Sequence, residues 1–343
     1  MAQKKRQDAG LAKLKKELAE NNLGNLYLFY GEEDYLRDYY IQQVQKKLLT
    51  EGMETFNLHQ FQGKELDIQT LADCVDTLPM MSQRTMILVY DYDLFENESR
   101  RDRLEQMFQD LPEYVCLIFV YDLLPYKSGG NTKLGKLLKK VATVVEFQPQ
   151  QQSDLNAWIR RHCKALGKEI DNSTAEYLTF VCGGLMTNLG GEIQKVGSYA
   201  AGSKITRADI DAVATPVLDA KVYELSKAVA ARNFDQAALV LGELYQMNEE
   251  PIMILAVLAG QLRQMWSARL ALESGKGQGY VADLWKLRSS WQAGNLMRSA
   301  RQFDLEWCRN AVALAAETDL AMKSTGIDRE ELLTDLLLKL AAG

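Results

Sequence analysis

The sequence is poor in the residues that usually carry bond chemistry. Histidine occurs only at positions 59 and 162, so a Ser/His/Asp set would have to recruit one of these by chance, and no Gly-x-Ser-x-Gly elbow is present. The five cysteines, Cys74, Cys116, Cys163, Cys182 and Cys308, are scattered and form no Cys-x-x-Cys pair. His162 and Cys163 are adjacent, which is poor spacing for a tetrahedral metal site. The thiols therefore read as structural, and neither a metal nor a cofactor is expected. A basic excess is also lacking: 40 Lys and Arg stand against 46 Asp and Glu, a net charge of −6. That balance disfavours a chain whose main task is gripping phosphates, so any DNA contact has to be local. No apolar run reaches the roughly 18–20 residues that span a bilayer, and the N-terminus has no signal-peptide core. A cytoplasmic protein without a membrane partner is expected. Gln3-Lys4-Lys5-Arg6 reads as a solvated end to a first amphipathic helix through Leu11–Leu18, with a phosphate-touching tail as the alternative.

What is present is an ordinary globular mixture, 47% apolar and 25% charged, in 343 residues. Domains of about 100–200 residues make this two or three units, and three is the working count. From Leu26 to Phe147, short β-branched or aromatic runs alternate with amphipathic stretches, the pattern of a parallel sheet with crossover helices. The expected strands are Leu26–Tyr30, Phe56–Phe61, Thr85–Tyr90, Val115–Tyr121 and Val141–Phe147. The third and fourth are apolar almost throughout, as strands covered on both faces are. Helices are expected over Tyr35–Leu49, Ile68–Leu78, Arg101–Phe108 and Lys133–Lys140. Residues 1–147 therefore read as an α/β domain.

After Pro149 the strand signal ends. Ser153 or Asp154 offers a cap for a helix through Trp158 and Ile159, and Leu189, Ile193, Val196 and Ala200 share a helical face after a Gly183-Gly184 break. Thr206 caps a further short helix, and Pro216 suits the first turn of another. Residues 148–215 are read as a small helical domain. Residues 216–343 are read as all helix, with stripes Val222/Leu225/Val229 and Phe234/Ala238/Leu241/Tyr245. A long helix follows Pro251, and a last one carries Leu332, Leu333, Leu336, Leu337 and Leu340, which serve either as bundle core or as a subunit seam.

An α/β nucleotide-binding domain holds phosphates on free helix N–H groups after its first strand. Here that turn reads Gly31-Glu32-Glu33-Asp34, without the Gly-x-x-x-x-Gly-Lys-Ser/Thr loop. Three carboxylates there satisfy the helix dipole and repel a triphosphate. Asp122 ends the fourth strand as a magnesium-holding aspartate would, but without the loop it reads as a turn residue, as do Asp91 and Asp93. No catalytic residue is expected. Two partner surfaces remain. Leu78-Pro79-Met80-Met81 joins a helix to the third strand, and two methionines in a connector suit an adaptable plug for a partner's pocket, with core packing at the strand entry as the alternative. Gln261–Arg301 carries seven basic residues (Arg263, Arg269, Lys276, Lys286, Arg288, Arg298, Arg301) against Glu273 and Asp283. Trp266, Trp285 and Trp291 lie among them, as packing residues or as part of a nucleic-acid face in which Arg263, Arg269, Arg298 and Arg301 face DNA.

Five stretches, Leu26-Tyr27-Leu28-Phe29-Tyr30-Gly31-Glu32-Glu33-Asp34-Tyr35-Leu36, Thr77-Leu78-Pro79-Met80-Met81-Ser82, Gly183 to Val196, Gly260–Met265 and Glu317–Ser324, resemble the delta-subunit family of the bacterial DNA polymerase III clamp loader. The resemblance spans nearly the whole chain. It implies an AAA+-like α/β domain without a phosphate loop, a small helical lid and a C-terminal helical collar that assembles the loader. It implies as partners the beta sliding clamp, the ATPase (gamma/tau) and delta-prime subunits, and primed DNA within the assembly. It also implies that Leu78, Pro79, Met80 and Met81 form a wrench that inserts into the clamp and springs one ring interface. Methionines stand here where the family often has large aromatic or leucine side chains. The rival reading is a degenerate AAA+-fold scaffold of another DNA-transaction complex, with the plug as core.

Overall fold

The computed structural model describes residues 2–96, 98–287 and 290–342, and the side chains of 9–96, 100–287 and 292–342. The side chains of Gln3-Lys4-Lys5-Arg6 and of Trp291, and Arg288 altogether, lie outside the described residues. The chain divides into two compact units, Met1–Pro149 with Leu185–Thr187, and Gln150–Gly184 with Asn188–Gly343.

The first unit runs α1 (Ala2–Glu20), β1 (Leu26–Tyr30), α2 (Asp34–Leu48), α3 (Glu54–Asn57), β2 (Leu58–Gln62), α4 (Ile68–Asp76), β3 (Thr85–Tyr90), α5 (Glu98–Gln109), β4 (Val115–Val120), α6 (Lys133–Val141) and β5 (Thr143–Glu146). The strands form one sheet in the order β2-β3-β4-β1-β5, and every pairing is parallel. Successive side chains alternate between its faces, as the two-residue repeat of a strand requires. Leu26, Leu28, Ile87, Val89, Leu117 and Phe119 pack on one side with Leu71, Leu104 and Leu134 of α4, α5 and α6. Tyr27, Phe29, Met86, Leu88, Cys116 and Ile118 pack on the other with Leu14, Ile41 and Val44 of α1 and α2. Burial of β3 and β4 on both faces accounts for their unbroken apolar sequence.

Two differences from the sequence pattern are instructive. The pattern opens the second strand at Phe56, but residues 54–57 form the short helix α3 and the strand begins at Leu58. Phe56 is 53% exposed while Asn57 is fully buried, an inversion that no hydrophobicity pattern signals. The expected helix Ile68–Leu78 stops at Asp76, because Pro79 lacks an N–H and biases Leu78 away from helical backbone.

The second unit is helical: α7 (Gln152–Ala165), α8 (Asn172–Cys182), α9 (Met186–Tyr199, whose first two residues belong to the first unit), α10 (Arg207–Val213), α11 (Leu218–Ala230), α12 (Phe234–Gln246), α13 (Pro251–Glu273), α14 (Gln278–Trp285), α15 (Ser290–Ala300), α16 (Leu305–Ser324) and α17 (Arg329–Ala342). Leu189, Ile193, Val196 and Ala200 are buried as their spacing requires. Thr206 and Asp209 close a reciprocal capping box on α10. Gln151, rather than Ser153 or Asp154, precedes α7, and Pro216 lies outside α11, whose cap is Val217. On α12 the buried stripe is Ala237, Val240, Leu241 and Leu244. Ala238 faces solvent, while Phe234 and Tyr245 pack at the rim. The leucines of α17 are core: Leu333, Leu336, Leu337 and Leu340 are buried. The boundary expected between residues 215 and 216 falls inside this second unit. Among the described residues no helix is long and apolar enough to cross a membrane.

Candidate partner-binding surface

In this sheet α2 covers one face while α4, α5 and α6 cover the other. The crossover direction thus reverses between β1 and its neighbour β4. An open α/β sheet binds its ligands at such a point, beyond the strand C-termini. Here the chain fills that place itself. Gly31 sits at φ +129° with the Phe147 backbone so close that an added Cβ would lie 2.2 Å from its carbonyl oxygen. The Glu33 amide donates to the same oxygen at 3.0 Å. Arg37, nearly buried, pairs with Asp34 at 2.9 Å and with Asp122, beyond β4, at 3.0 Å. Asp122 is therefore one of the acids that neutralise a buried guanidinium. Asp91 accepts the amides of Asp122, Leu123 and Leu124, each at 2.9 Å, and Asp93 pairs with Lys127 at 2.6 Å. Asp91 and Asp93, which also accepts the Phe95 amide at 2.9 Å, shape turns as the sequence suggested, whereas the Asp122 carboxylate serves Arg37.

The expectation for Glu33 needs correcting. It precedes α2 without making a side-chain cap, so it does not satisfy that helix's dipole through a capping bond. Its side chain is fully buried and accepts the Met186 amide at 3.1 Å. Burial pushes its carboxyl up to about 7; Asp34 adds to the rise and the Met186 N–H opposes it. Near neutral pH the group is poised between acid and carboxylate.

Among the described residues, no group of three or more His, Cys, Asp and Glu side chains is placed to hold a metal ion. The His162 ring lies against Trp158, with Nδ1 3.0 Å from that residue's carbonyl oxygen. Burial raises all five thiols, Cys74, Cys163 and Cys308 to about 11 and Cys116 and Cys182 to about 12. None is a ready thiolate at neutral pH.

The segment Leu78–Met81 is a projection. Leu78 is 72% exposed, Met80 54% and Met81 77%, while Pro79 is half-buried. Three apolar side chains in succession at a connector form an exposed patch of the kind that marks an interaction site. Its base is rigid. The Arg84 guanidinium donates to the carbonyl oxygens of Leu23, Gly24 and Val115 at 2.7, 2.9 and 2.7 Å, and to Asn25 Oδ1 at 3.1 Å. Behind the projection lies Asn57, which the sequence pattern does not single out. Its Nδ2 donates its two hydrogens to the carbonyls of Met80 and Met53 at 2.8 and 3.0 Å, with Ser82 Oγ sharing one of them at 3.2 Å. Its Oδ1 accepts the Met80 amide at 2.7 Å. Thr50 Oγ1 donates to the Met81 carbonyl at 3.4 Å. The only available signal is the requirement for a buried asparagine between a helix and a strand, which a single sequence does not display.

The four arginines expected to face DNA are not equivalent. Arg263 and Arg269 are six residues apart on α13, about 240° around a helix of 3.6 residues per turn, so they occupy different sides of it. Arg269 is half-buried and pairs with Glu273 at 3.2 Å. Arg263 and Arg301 are exposed. Arg298 donates to Asn295 Oδ1 at 3.1 Å and lines a cleft with Arg207, Asp211 and Lys227. Trp266 and Trp285 pack against the helical core, the packing reading of the two.

Two family models match, described as DNA polymerase III, delta subunit, over residues 27–148 and as DNA polymerase III delta subunit, C-terminal domain, over residues 219–340. DNA polymerase III subunit delta of Bacillus subtilis is 27% identical over 334 residues, 95% of each chain. A probable DNA polymerase III subunit delta of Aquifex aeolicus is 19% identical, covering 91% of this chain and 90% of that one. The solved structure of the Bacillus subtilis DNA clamp loader delta protein superposes with a TM-score of 0.51 at 25% identity, over 96% of this chain and 99% of that one.

Proposed function

Because the chain belongs to the DNA polymerase III delta-subunit family and is thereby a clamp-loader component, we propose that it binds the beta sliding clamp through Leu78, Pro79, Met80 and Met81 and opens one interface of the clamp ring. The observation that carries this reading is the projection itself: three apolar side chains more than half exposed on a base fixed by Arg84. Fully burying such side chains is worth on the order of 1.5–3 kcal/mol each, enough to bias a strained ring interface. The same exposure disfavours the rival scaffold reading, which requires the segment to be core.

The chain contributes binding energy to clamp loading and no bond chemistry. The point where a related sheet would hold a nucleotide is filled by Gly31, Glu33 and Arg37. In the proposed mechanism, ATP binding to neighbouring loader subunits exposes the projection, which is open in the single chain, to the clamp. Within the proposal the lid is residues 148–215, and the collar, residues 216–343, makes the subunit contacts. Local DNA contact, in this proposal, falls to the exposed Arg263, Arg298 and Arg301 of the collar, and the setting is the cytoplasm.

The test is ring opening. A fluorophore pair across one interface of the organism's own beta clamp should separate on addition of the wild-type chain and stay together with the Leu78→Ala/Met80→Ala/Met81→Ala variant. Equal opening by both would refute the site assignment, and opening by neither would refute the function.

A further inference from the structure

The exposed projection is held in a conformation that a free connector adopts only a small part of the time. Met81 has a φ of +53°, a left-handed backbone that side-chain-bearing residues rarely take and that persists only where the surroundings over-determine it. The surroundings here are Asn57. Its amide meets the Met80 peptide on both sides, Nδ2 to the carbonyl at 2.8 Å and Oδ1 from the N–H at 2.7 Å, in the manner of a neighbouring strand. The further contacts of Nδ2, to the Met53 carbonyl and Ser82 Oγ, take up the remaining donor capacity of the buried amide. Asn57 closes α3 immediately before β2, and β2 pairs with β3 from Leu58 opposite Met86. The clasp is thus anchored in the sheet on one side and grips the projection on the other.

We propose that Asn57 is a positioning residue for clamp binding, holding Met80 and Met81 in the binding conformation before the clamp arrives; this rests on the function proposed above. Ordering a mobile connector costs free energy at the moment of binding, and a conformation fixed in advance removes that cost. The clasp does so without covering the apolar side chains, because on the projection it engages main-chain groups of Met80 and Met81 and the Ser82 hydroxyl. Thr50 and Ser82, whose hydroxyls lie 3.2 Å apart, complete it from the exposed side.

The experiment compares wild type, Asn57→Ala and the milder Thr50→Ala/Ser82→Ala variant, each alone and combined with the Leu78/Met80/Met81 triple alanine change, by clamp affinity and by amide hydrogen exchange. The expected result is that Asn57→Ala weakens clamp binding about tenfold, accelerates exchange of the Met80 amide, and has no further effect on affinity once the three apolar side chains are gone. Should Asn57→Ala fail to fold, the Thr50→Ala/Ser82→Ala variant is expected to show the same pattern at about two- to fivefold. Unchanged affinity in a folded variant, or the same loss in the triple-alanine background, overturns the proposal. If wild type does not bind the clamp, the proposed function fails, whereas slow Met80 exchange in wild type and fast exchange in Asn57→Ala would still establish the clasp.

Discussion

Replacing Glu33 by glutamine is expected to stabilise the protein in alkaline solution and to do little in acid. The side chain is fully buried, and its carboxyl is pushed up from 4.5 to about 7, chiefly by burial. A raised carboxyl binds its proton more tightly folded than unfolded. The stabilising effect of that proton is fully present below about pH 4.5 and is lost as pH rises through 7. Each tenfold tightening of proton binding in the folded chain is worth about 1.4 kcal/mol, so the loss on reaching pH 8.5 comes to about 3 kcal/mol. Glutamine cannot ionise, yet its carbonyl oxygen can still accept the Met186 amide now 3.1 Å from Glu33. The difference between variant and wild type should therefore grow from near zero at pH 4.5 to about 3 kcal/mol at pH 8.5. Urea unfolding of both chains across that range measures it, and taking the difference cancels other titrating groups such as Asp93 and Asp171. A carbon-13 titration of the Glu33 carboxyl gives the midpoint directly. A difference that does not change with pH, or a wild type that is the more stable at pH 8.5, would refute the reasoning.

Gly31→Ala should lower the unfolding free energy measured in urea by about 2 kcal/mol or more, since the new Cβ would meet the Phe147 carbonyl at 2.2 Å and φ is +129°; a loss under about 0.5 kcal/mol would show that the backbone can yield there. The five thiols should react sluggishly with a disulfide reagent at pH 7.5 and completely in denaturant, because burial raises each of them to about 11 or 12; one rapid equivalent from the native chain would contradict this.

The sheet is legible in the sequence because its physics is repetitive. β1, β3 and β4 are runs of apolar residues buried on both faces, and the alternation between Leu26/Leu28 and Tyr27/Phe29 follows from the two-residue repeat of any strand. The same holds for Leu189/Ile193/Val196 and for the α17 leucines. Phe56 and Asn57 are not legible, because there the apolar residue faces out and the polar one in, and only the hydrogen bonds to Met80 and Ser82 explain it. The projection can be located from Pro79, which ends α4, but whether its methionines point in or out depends on that hidden asparagine. Glu33 reads as a helix-end carboxylate because its partner, Met186, lies 153 residues away in sequence, beyond the reach of any local pattern. On α12 the stripe is displaced by a residue at several positions, since Ala238 and Ala237 are equally apolar in sequence and only packing separates them.

The central claim, that this chain grips the beta clamp by its Leu78–Met81 projection, is tested most directly by the affinity of the purified chain for its own organism's clamp, with and without the three apolar side chains. Their exposures of 72%, 54% and 77% leave most of each surface to be buried on binding. Their loss should cost at least about 3 kcal/mol, a weakening of about 100-fold or more, with the folded circular dichroism spectrum unchanged. A triple-alanine variant that is folded and binds as tightly as wild type would contradict the account.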